Sequence, residues 1–350
     1  MRLISIFKEK NITCAYLYFY IHLITEVVCF FYLSRVTNNS LVIWLIPFIY
    51  DALAFVPQSI IGYINDLHPN INSGFIGVVL LVMAYLIYAL TDMNIYVSLI
   101  LLALGNAFIH ISGAENTLKV SGGKLSFVSI FVGGGSFGVI LGKLLARIEI
   151  NPMYLVLLIL TMIPFMMLAK TYEKDVKAAR YEFVNEKINP FNIILIATFI
   201  VIIRGYMGYG IPTNWNKTTL ETVLLFFTMG IGKCLGGILS DAYGIRKVGI
   251  ISTLLAIPFL SFGDDIMVIS LVGVMMFSMT MAITLGMLVS VLNENKGLAF
   301  GFTTIGLFLG TMPIFFISIT SKITNILMIV LLSLICSMLF SITLKKENNT

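Results

Sequence analysis

Residues 237–247 read GILSDAYGIRK, a turn with three charged residues that separates two apolar runs of the chain. Its first five residues follow the pattern Gly-x-x-x-Asp, which also occurs 175 positions earlier, at 62–66, as GYIND. A second pair of short matches has nearly the same offset, because LSF at 125–127 returns as LAF at 298–300. The offset is half of the 350-residue chain, so the sequence predicts a duplicated structural unit.

The composition predicts a membrane protein. Of 350 residues, 59% are hydrophobic and 11% are charged, and the mean hydropathy is +0.99. A water-soluble fold with this composition would expose a large apolar surface. Each membrane span needs about 20 apolar residues, so twelve helices use roughly 240 positions and leave no room for a sizeable soluble domain.

The apolar runs predict twelve membrane-spanning helices in two sets of six. The first six runs lie at 13–33, 41–63, 73–90, 95–112, 125–145 and 153–169. The second six lie at 191–209, 219–239, 248–262, 266–289, 298–317 and 323–342. We therefore expect an N-terminal six-helix half at 1–170, a linker at 171–190 and a C-terminal six-helix half at 191–350.

The linker carries eight charges of both signs. Glu173 and Lys177 are one helical turn apart, a spacing that favours a helix through their ion pair. We expect a solvated surface helix that ties the two halves together.

The lysine and arginine residues predict the orientation of the chain. Fifteen of the 22 lie on the side of the two termini, five lie on the other side, and Arg204 and Lys233 fall inside spans. Because basic loops remain in the cytoplasm, we expect a multi-pass protein of the cytoplasmic (cell inner) membrane with both termini cytoplasmic. The basic residues form no cluster with interleaved aromatics, so no nucleic acid partner is expected. The expected partners are the lipid bilayer and a small molecule, and we expect a monomer.

The stretch at 237–247 resembles the signature loop of the major facilitator superfamily, which has the form G-x-x-x-D-x-x-G-x-R-K. Its matching positions are Gly237, Asp241, Gly244, Arg246 and Lys247. The loop also follows the second helix of a six-helix half, where the superfamily carries it. The resemblance implies two pseudo-symmetric six-helix bundles, alternating access and a gating role for this loop.

The first-half copy of this loop retains Gly62 and Asp66, to which the resemblance assigns the same gating role. It continues as LHPN at 67–70, without the basic residues. Farther on, Gly105, Asn106 and His110 precede a glycine-rich helix. This region resembles short bacterial members of the superfamily with no assigned substrate and, more distantly, fosmidomycin-resistance-type exporters.

Polar side chains inside the predicted spans form the predicted substrate or proton pathway. They are His22, Glu26, Asp51, His110, Arg204 and Lys233. A charge near the centre of a span costs roughly 2.5 to 3.5 kcal/mol, so each one requires a partner or a water-filled cavity. The acids belong to the first half and the bases to the second. We hypothesise that an acid–base pair bridges the halves across a central cavity; structural ion pairing and snorkelling near helix ends are the alternatives.

Three glycines of the fifth span, Gly134, Gly138 and Gly142, recur every four residues. Small residues at this spacing form a smooth stripe along a helix, and such a stripe lets a neighbouring helix approach closely. We predict a helix-packing role for them.

The chemistry-bearing residues show no enzyme signature. His22, His68 and His110 lack the spacing of a metal site, so we predict no metal and no other cofactor. The sequence favours a secondary active transporter of a small organic solute, with export of a drug or metabolite as the expected direction and proton coupling as a further expectation. Uptake of a metabolite or sugar is the first alternative, and a non-transporting membrane sensor or assembly protein is the second.

Overall fold

The computed structural model is all-α and describes residues 9, 11–37, 44–90, 95–172, 180–317 and 321–346. Within these ranges the chain forms twelve long helices, numbered here in chain order. They are α1 (Ile12–Thr37), α2 (Leu45–Leu67), α3 (Ser73–Leu90), α4 (Ile95–Val120), α5 (Ser126–Leu145), α6 (Met153–Thr171), α7 (Pro190–Gly210), α8 (Thr219–Tyr243), α9 (Ile245–Ser261), α10 (Met267–Val291), α11 (Lys296–Phe315) and α12 (Lys322–Thr343).

Eleven of these helices are long and apolar enough to cross a membrane. The twelfth, α9, has 17 residues, which gives it a length of about 25 Å. Three helices are interrupted by short breaks, α2 at Val56 and Pro57, α6 at Thr161 and α10 at Met279. The predicted fold class, an all-α polytopic membrane protein with twelve helices, is confirmed.

Helix α4 continues well past the end of its apolar run, to Val120. The last two turns carry Glu115, whose side chain is buried. Its carboxylate forms an ion pair with Lys119, one turn farther along, and accepts a hydrogen bond from Asn65 on α2 at 3.4 Å. These partners stabilise a polar helix end that the apolar pattern alone does not predict.

Residues 180–189 are not helical, so the predicted surface helix is wrong for this part of the linker; Glu173 and Lys177 lie outside the described residues. The segment is a strap across one end of the bundle. The Tyr181 ring is buried, and its hydroxyl lies 2.6 Å from Ser121 Oγ and 2.9 Å from the Leu118 carbonyl oxygen of α4. The Tyr181 N–H donates to Asn293. The burial of the Tyr181 ring and the hydrogen bonds of the segment to other helices favour this non-helical path over the helix that the charge pattern predicted.

The strap marks the end of the bundle where α1 begins and α12 ends, which we call the linker end; the other end is the opposite end. Near the last turn of α12, Val184 of the strap forms an antiparallel bridge with Leu344. Beyond it, Lys345 bonds to Glu186 at 2.6 Å.

The predicted glycine stripe lies against α1. A Cβ added at Gly134, Gly138 or Gly142 would overlap with a backbone carbonyl oxygen of α1, and these oxygens also recur every four residues. They belong to Phe19, Leu23 and Val27. The close approach of α5 and α1 places the intervening residues of α1, including His22 and Glu26, beside the fifth helix of the same half.

Candidate transport site

The two Gly-x-x-x-Asp copies lie at the linker end and bind across the boundary between the halves. At the end of α8, the Asp241 carboxylate accepts hydrogen bonds from the N–H groups of Leu125 and Ser126, at 2.9 and 2.8 Å. These residues begin α5 of the other half. The carboxylate therefore satisfies backbone donors that the first turn of a helix leaves free, and its charge faces the positive end of the helix dipole.

Asp66, near the end of α2, makes the same contact with the second half. Its carboxylate accepts from the N–H groups of Gly297 and Leu298 at the start of α11, at 3.0 and 2.9 Å. Asp241 thus caps the helix that begins at LSF, and Asp66 caps the helix that begins at LAF. In both cases the acid and the capped helix belong to opposite halves. We call these two contacts together the linker-end seam.

Glycine backbones make this seam tight. A Cβ at Gly62 would overlap with the backbone of Gly297, and a Cβ at Gly237 would overlap with Ser129 and crowd the Leu125 carbonyl oxygen. Because backbone atoms cannot rotate away as side chains do, only glycine at position 62 fits this approach of the two halves.

The rest of the signature loop lies behind the seam. Gly244 separates α8 from α9 with a φ of 97°, a conformation that favours glycine. The Arg246 guanidinium donates to the carbonyl oxygen and hydroxyl of Ser341 on α12, at 2.9 to 3.2 Å, and so holds together helices of the same half. Lys247 is exposed on α9.

A cavity lies between the halves, and its empty volume is about 980 Å³ including its open side. His22, Glu26 and His110 line it from the first half, and Arg204 and Lys233 line it from the second. Five of the six predicted pathway residues therefore share one space. The sixth, Asp51, lies half-buried in α2 and outside this lining.

Two histidines meet at the buried carboxylate of Glu26, which is 7% exposed. Glu26 Oε1 is 3.3 Å from His110 Nε2 and 3.8 Å from His22 Nε2. The imidazole rings of His22 and His110 lie edge to face, with centroids 4.3 Å apart. Chain spacing did not predict this cluster, because the two histidines belong to different helices.

Asn106 completes the first-half polar cluster. Its side-chain amide nitrogen donates to Glu26 Oε1 at 3.0 Å and lies 2.8 Å from the Tyr50 hydroxyl. Sequence reasoning noted Asn106 only for its family resemblance. The signal for a site role was its position one turn before His110, which puts both residues on the same face of α4.

In the described part of the chain, the two bases do not pair with the acids. Arg204 is 8% exposed, and its Nε and Nη2 have no hydrogen-bond partner among the residues that the structure describes. Lys233 Nζ instead donates to Ser136 Oγ of α5 at 2.8 Å. Within the described ranges no ion pair joins either base to Glu26 or Asp51, so the hypothesised acid–base bridge is not formed in this structure.

Aromatic rings join the halves at the opposite end. Phe48 of α2 contacts Phe308, Phe315 and Phe316, on or just after α11, with centroids 5.5 to 5.9 Å apart. These ring contacts are apolar, whereas the linker-end seam consists of hydrogen bonds. The cavity is thus bounded by polar caps on one side and by aromatic packing on the other.

No protein-family profile and no curated protein matches the chain. Solved structures do resemble it. The Escherichia coli fucose:proton symporter FucP aligns with a TM-score of 0.66 at 13% identity, over 94% of this chain and 97% of that one. The human organic anion transporter MFSD10 aligns with a TM-score of 0.62 at 10% identity, over 94% and 100%. A FucP structure in the outward conformation aligns with a TM-score of 0.53 at 14% identity, over 91% and 97%.

At these identities the similarity establishes the fold alone. The chain has the major facilitator fold, in which twelve helices form two six-helix bundles, as its signature loop predicted.

Proposed function

We propose that this protein is a secondary transporter that moves a small organic anion across the cytoplasmic membrane by alternating access, in the direction of export. The observation that carries the proposal is the buried Arg204 guanidinium, which faces the cavity between the halves with two nitrogens that have no partner among the described residues. Transporters of this architecture bind their solutes between the two halves, near the middle of the membrane.

A bound anionic solute would supply the hydrogen-bond acceptors that the Arg204 guanidinium lacks among the described residues. A buried donor without an acceptor costs about 1 to 3 kcal/mol. A carboxylate or phosphate group can accept two parallel hydrogen bonds from a guanidinium. Lys233 lines the same cavity and supplies a second positive charge. Both bases belong to the second half, so the solute would be held mainly by α7 and α8.

The seam supports the alternating-access part of the proposal. It consists of two carboxylates, each with two backbone hydrogen bonds, and water can replace such bonds at modest net cost. Opening of the linker end would expose the cavity on that side. The halves 1–170 and 191–350 would then move against each other, with 171–190 as the tether between them.

The direction and location rest on sequence features. The resemblance to fosmidomycin-resistance-type exporters and to short bacterial superfamily members favours export, and the distribution of basic residues favours cytoplasmic termini. Proton coupling belongs to the same proposal, since protonatable groups face the cavity; a transport rate indifferent to an imposed pH gradient would remove it. We expect the monomer to be the working unit.

Uptake is the second candidate, and the structural similarity to a fucose:proton symporter favours it. The two directions give opposite results with a toxic solute, because an exporter protects the cell and an importer sensitises it.

The proposal is tested by growth inhibition in an efflux-deficient host, with a panel of toxic carboxylates and phosphonates beside neutral and cationic compounds. Expression of the intact protein should raise resistance to anionic compounds, and Arg204→Gln should abolish that resistance. The matched control is Arg180→Gln, which removes an exposed guanidinium from the strap. Equal protection by wild type and well-expressed Arg204→Gln would refute the anion site, and protection against cationic compounds alone would do the same.

A further inference from the structure

The two cavity histidines are oriented by backbone carbonyl groups. His22 Nδ1 lies 2.8 Å from the Phe131 carbonyl oxygen of α5, and His110 Nδ1 lies 3.0 Å from the Asn106 carbonyl oxygen of α4. A carbonyl oxygen accepts and never donates, so both Nδ1 atoms carry hydrogen. In a neutral imidazole the other nitrogen, Nε2, then presents a lone pair.

Both Nε2 atoms lie close to the same carboxylate oxygen of Glu26, at 3.8 and 3.3 Å. Three electron-rich atoms that converge in this way repel one another unless a cation lies among them. Glu26 has no lysine or arginine partner within the described part of the chain, because Lys233 is bound to Ser136. Asn106 supplies one hydrogen bond and no charge. The arrangement therefore favours a cation shared among the three atoms, which no described lysine or arginine supplies by direct contact.

One divalent metal ion satisfies all three atoms at once. The two histidine nitrogens and the Glu26 oxygen lie within 4.8 Å of one another. Tetrahedral Zn²⁺ with bonds of about 2.0 to 2.1 Å places neighbouring ligand atoms about 3.3 Å apart. The Glu26 Oε1 distances of 3.3 and 3.8 Å are close to that separation. Protons fit less well, because a single proton bridges Glu26 Oε1 to only one of the two Nε2 atoms, and two imidazolium rings 4.3 Å apart would repel each other as well as Lys233.

The surroundings resemble those of protein metal sites. Metal-ligating histidines commonly donate their second ring N–H to a backbone carbonyl or carboxylate, which fixes the tautomer and the ring orientation. Both histidines here do so. Gly135 provides the room, since a Cβ at this position would overlap with His22 Nε2. Since the three side chains line the cavity, a fourth ligand position remains for water or a solute group.

We propose that His22, Glu26 and His110 form a binding site for one divalent transition-metal ion of the Zn²⁺ type inside the central cavity. The site goes beyond the proposed transport function and does not depend on it, since metal binding is measurable in purified protein without any transported solute.

The test is equilibrium binding of Zn²⁺ to the full chain in detergent, followed by visible absorption with Co²⁺ as a spectroscopic probe. Wild type should bind one Zn²⁺ per chain and give the d–d bands of tetrahedral Co²⁺. Removal of one ligand in His22→Gln, His110→Gln or Glu26→Gln should weaken binding by at least about 100-fold, since loss of a supporting contact alone costs 10- to 100-fold. The control is His68→Gln, which removes the exposed third histidine and should bind as wild type does.

A second variant keeps every ligand and disturbs only their arrangement. Gly135→Ala should displace His22 Nε2 and weaken Zn²⁺ binding about 10-fold or more, with unchanged elution on size exclusion. Wild-type binding no tighter than that of the three ligand variants would overturn the metal site and leave protons as the shared cation. Binding that falls in His68→Gln would also overturn it, because the ion would then be held at the surface.

Discussion

The two halves of the chain contribute equivalent residues to the linker-end seam but different residues to the central cavity. At the seam the two halves are equivalent, because Asp66 and Asp241 each accept two backbone hydrogen bonds of 2.8 to 3.0 Å from the opposite half. In the cavity the halves differ, since the first supplies His22, Glu26 and His110 and the second supplies Arg204 and Lys233.

Under the proposed function this difference separates two tasks. A closure that both halves make and break together works with matched contacts, and both copies of the repeat carry the acid. Recognition of an asymmetric solute requires different groups on the two sides of the cavity. Seam variants should therefore change the conformational equilibrium, whereas cavity variants should change affinity.

The largest effect is expected at Gly62. A methyl group at this position in Gly62→Ala would overlap with the Gly297 backbone and prevent the linker end from closing. Overpacking costs roughly 1 to 3 kcal/mol, which depopulates the closed state about 5- to 150-fold. Transport in proteoliposomes should fall by a similar factor. The control is Gly208→Ala, because no atom of the described residues lies within 4 Å of a Cβ there, so the conformational equilibrium should be unchanged. Normal transport by Gly62→Ala would show that this approach is not part of the cycle.

Asp66→Asn and Asp241→Asn come next. Each removes a charge and one of two acceptor atoms, and the loss of such hydrogen bonds costs about 1.5 to 3 kcal/mol. Both should raise the rate at which a membrane-impermeant thiol reagent labels Val139→Cys, a cavity position, from the linker side, in a background without Cys234. The increases should be similar, on the order of 10-fold, and the double variant should combine them. An effect from one acid only would contradict the equivalence of the two caps.

The sequence repeat predicted a duplication but not the helix caps that its two acids form. The offset of Asp66 and Asp241, and that of LSF and LAF, indicated a duplication, yet nothing in one sequence states which copy contacts which. The cavity was harder to predict. His22 and Glu26 share a face of α1 by spacing alone, whereas His110 joins them only through the packing of α4 against α1. The helix predicted for the linker is wrong at 180–189, because the local charge pattern does not reveal that tertiary contacts bury Tyr181.

A smaller effect is expected from Ser136→Ala on the cavity side of the comparison. Without the hydroxyl, Lys233 loses its hydrogen bond at 2.8 Å and becomes less well positioned. The KM for the solute should rise by up to about 10-fold, while labelling of Val139→Cys from the linker side stays at the wild-type rate. A changed labelling rate would mean that cavity and seam are not separable.

The smallest effect is expected from the strap. The hydrogen bond from Lys345 lowers the pKa of the exposed Glu186 carboxyl. Because the folded-state pKa is depressed, the contact stabilises the fold above the ordinary carboxyl pKa of about 4.3 and is lost as pH falls through the folded-state value. Glu186→Gln should lower the melting temperature at pH 7 by no more than about 2 °C and leave it unchanged in acid. The control, Glu149→Gln at the opposite end, should show no such difference. A loss of transport in Glu186→Gln would make the strap part of the gate.

The most direct test of alternating access is the distance across the seam, measured by double electron–electron resonance between spin labels at His68 and Glu294. Both side chains are exposed, one after α2 and the other before α11. The account predicts a short and a long distance in one sample, with Asp66→Asn increasing the long population and a transported anion changing the ratio. A single short distance that neither the variant nor any solute alters would contradict alternating access and favour a fold retained for a role other than transport.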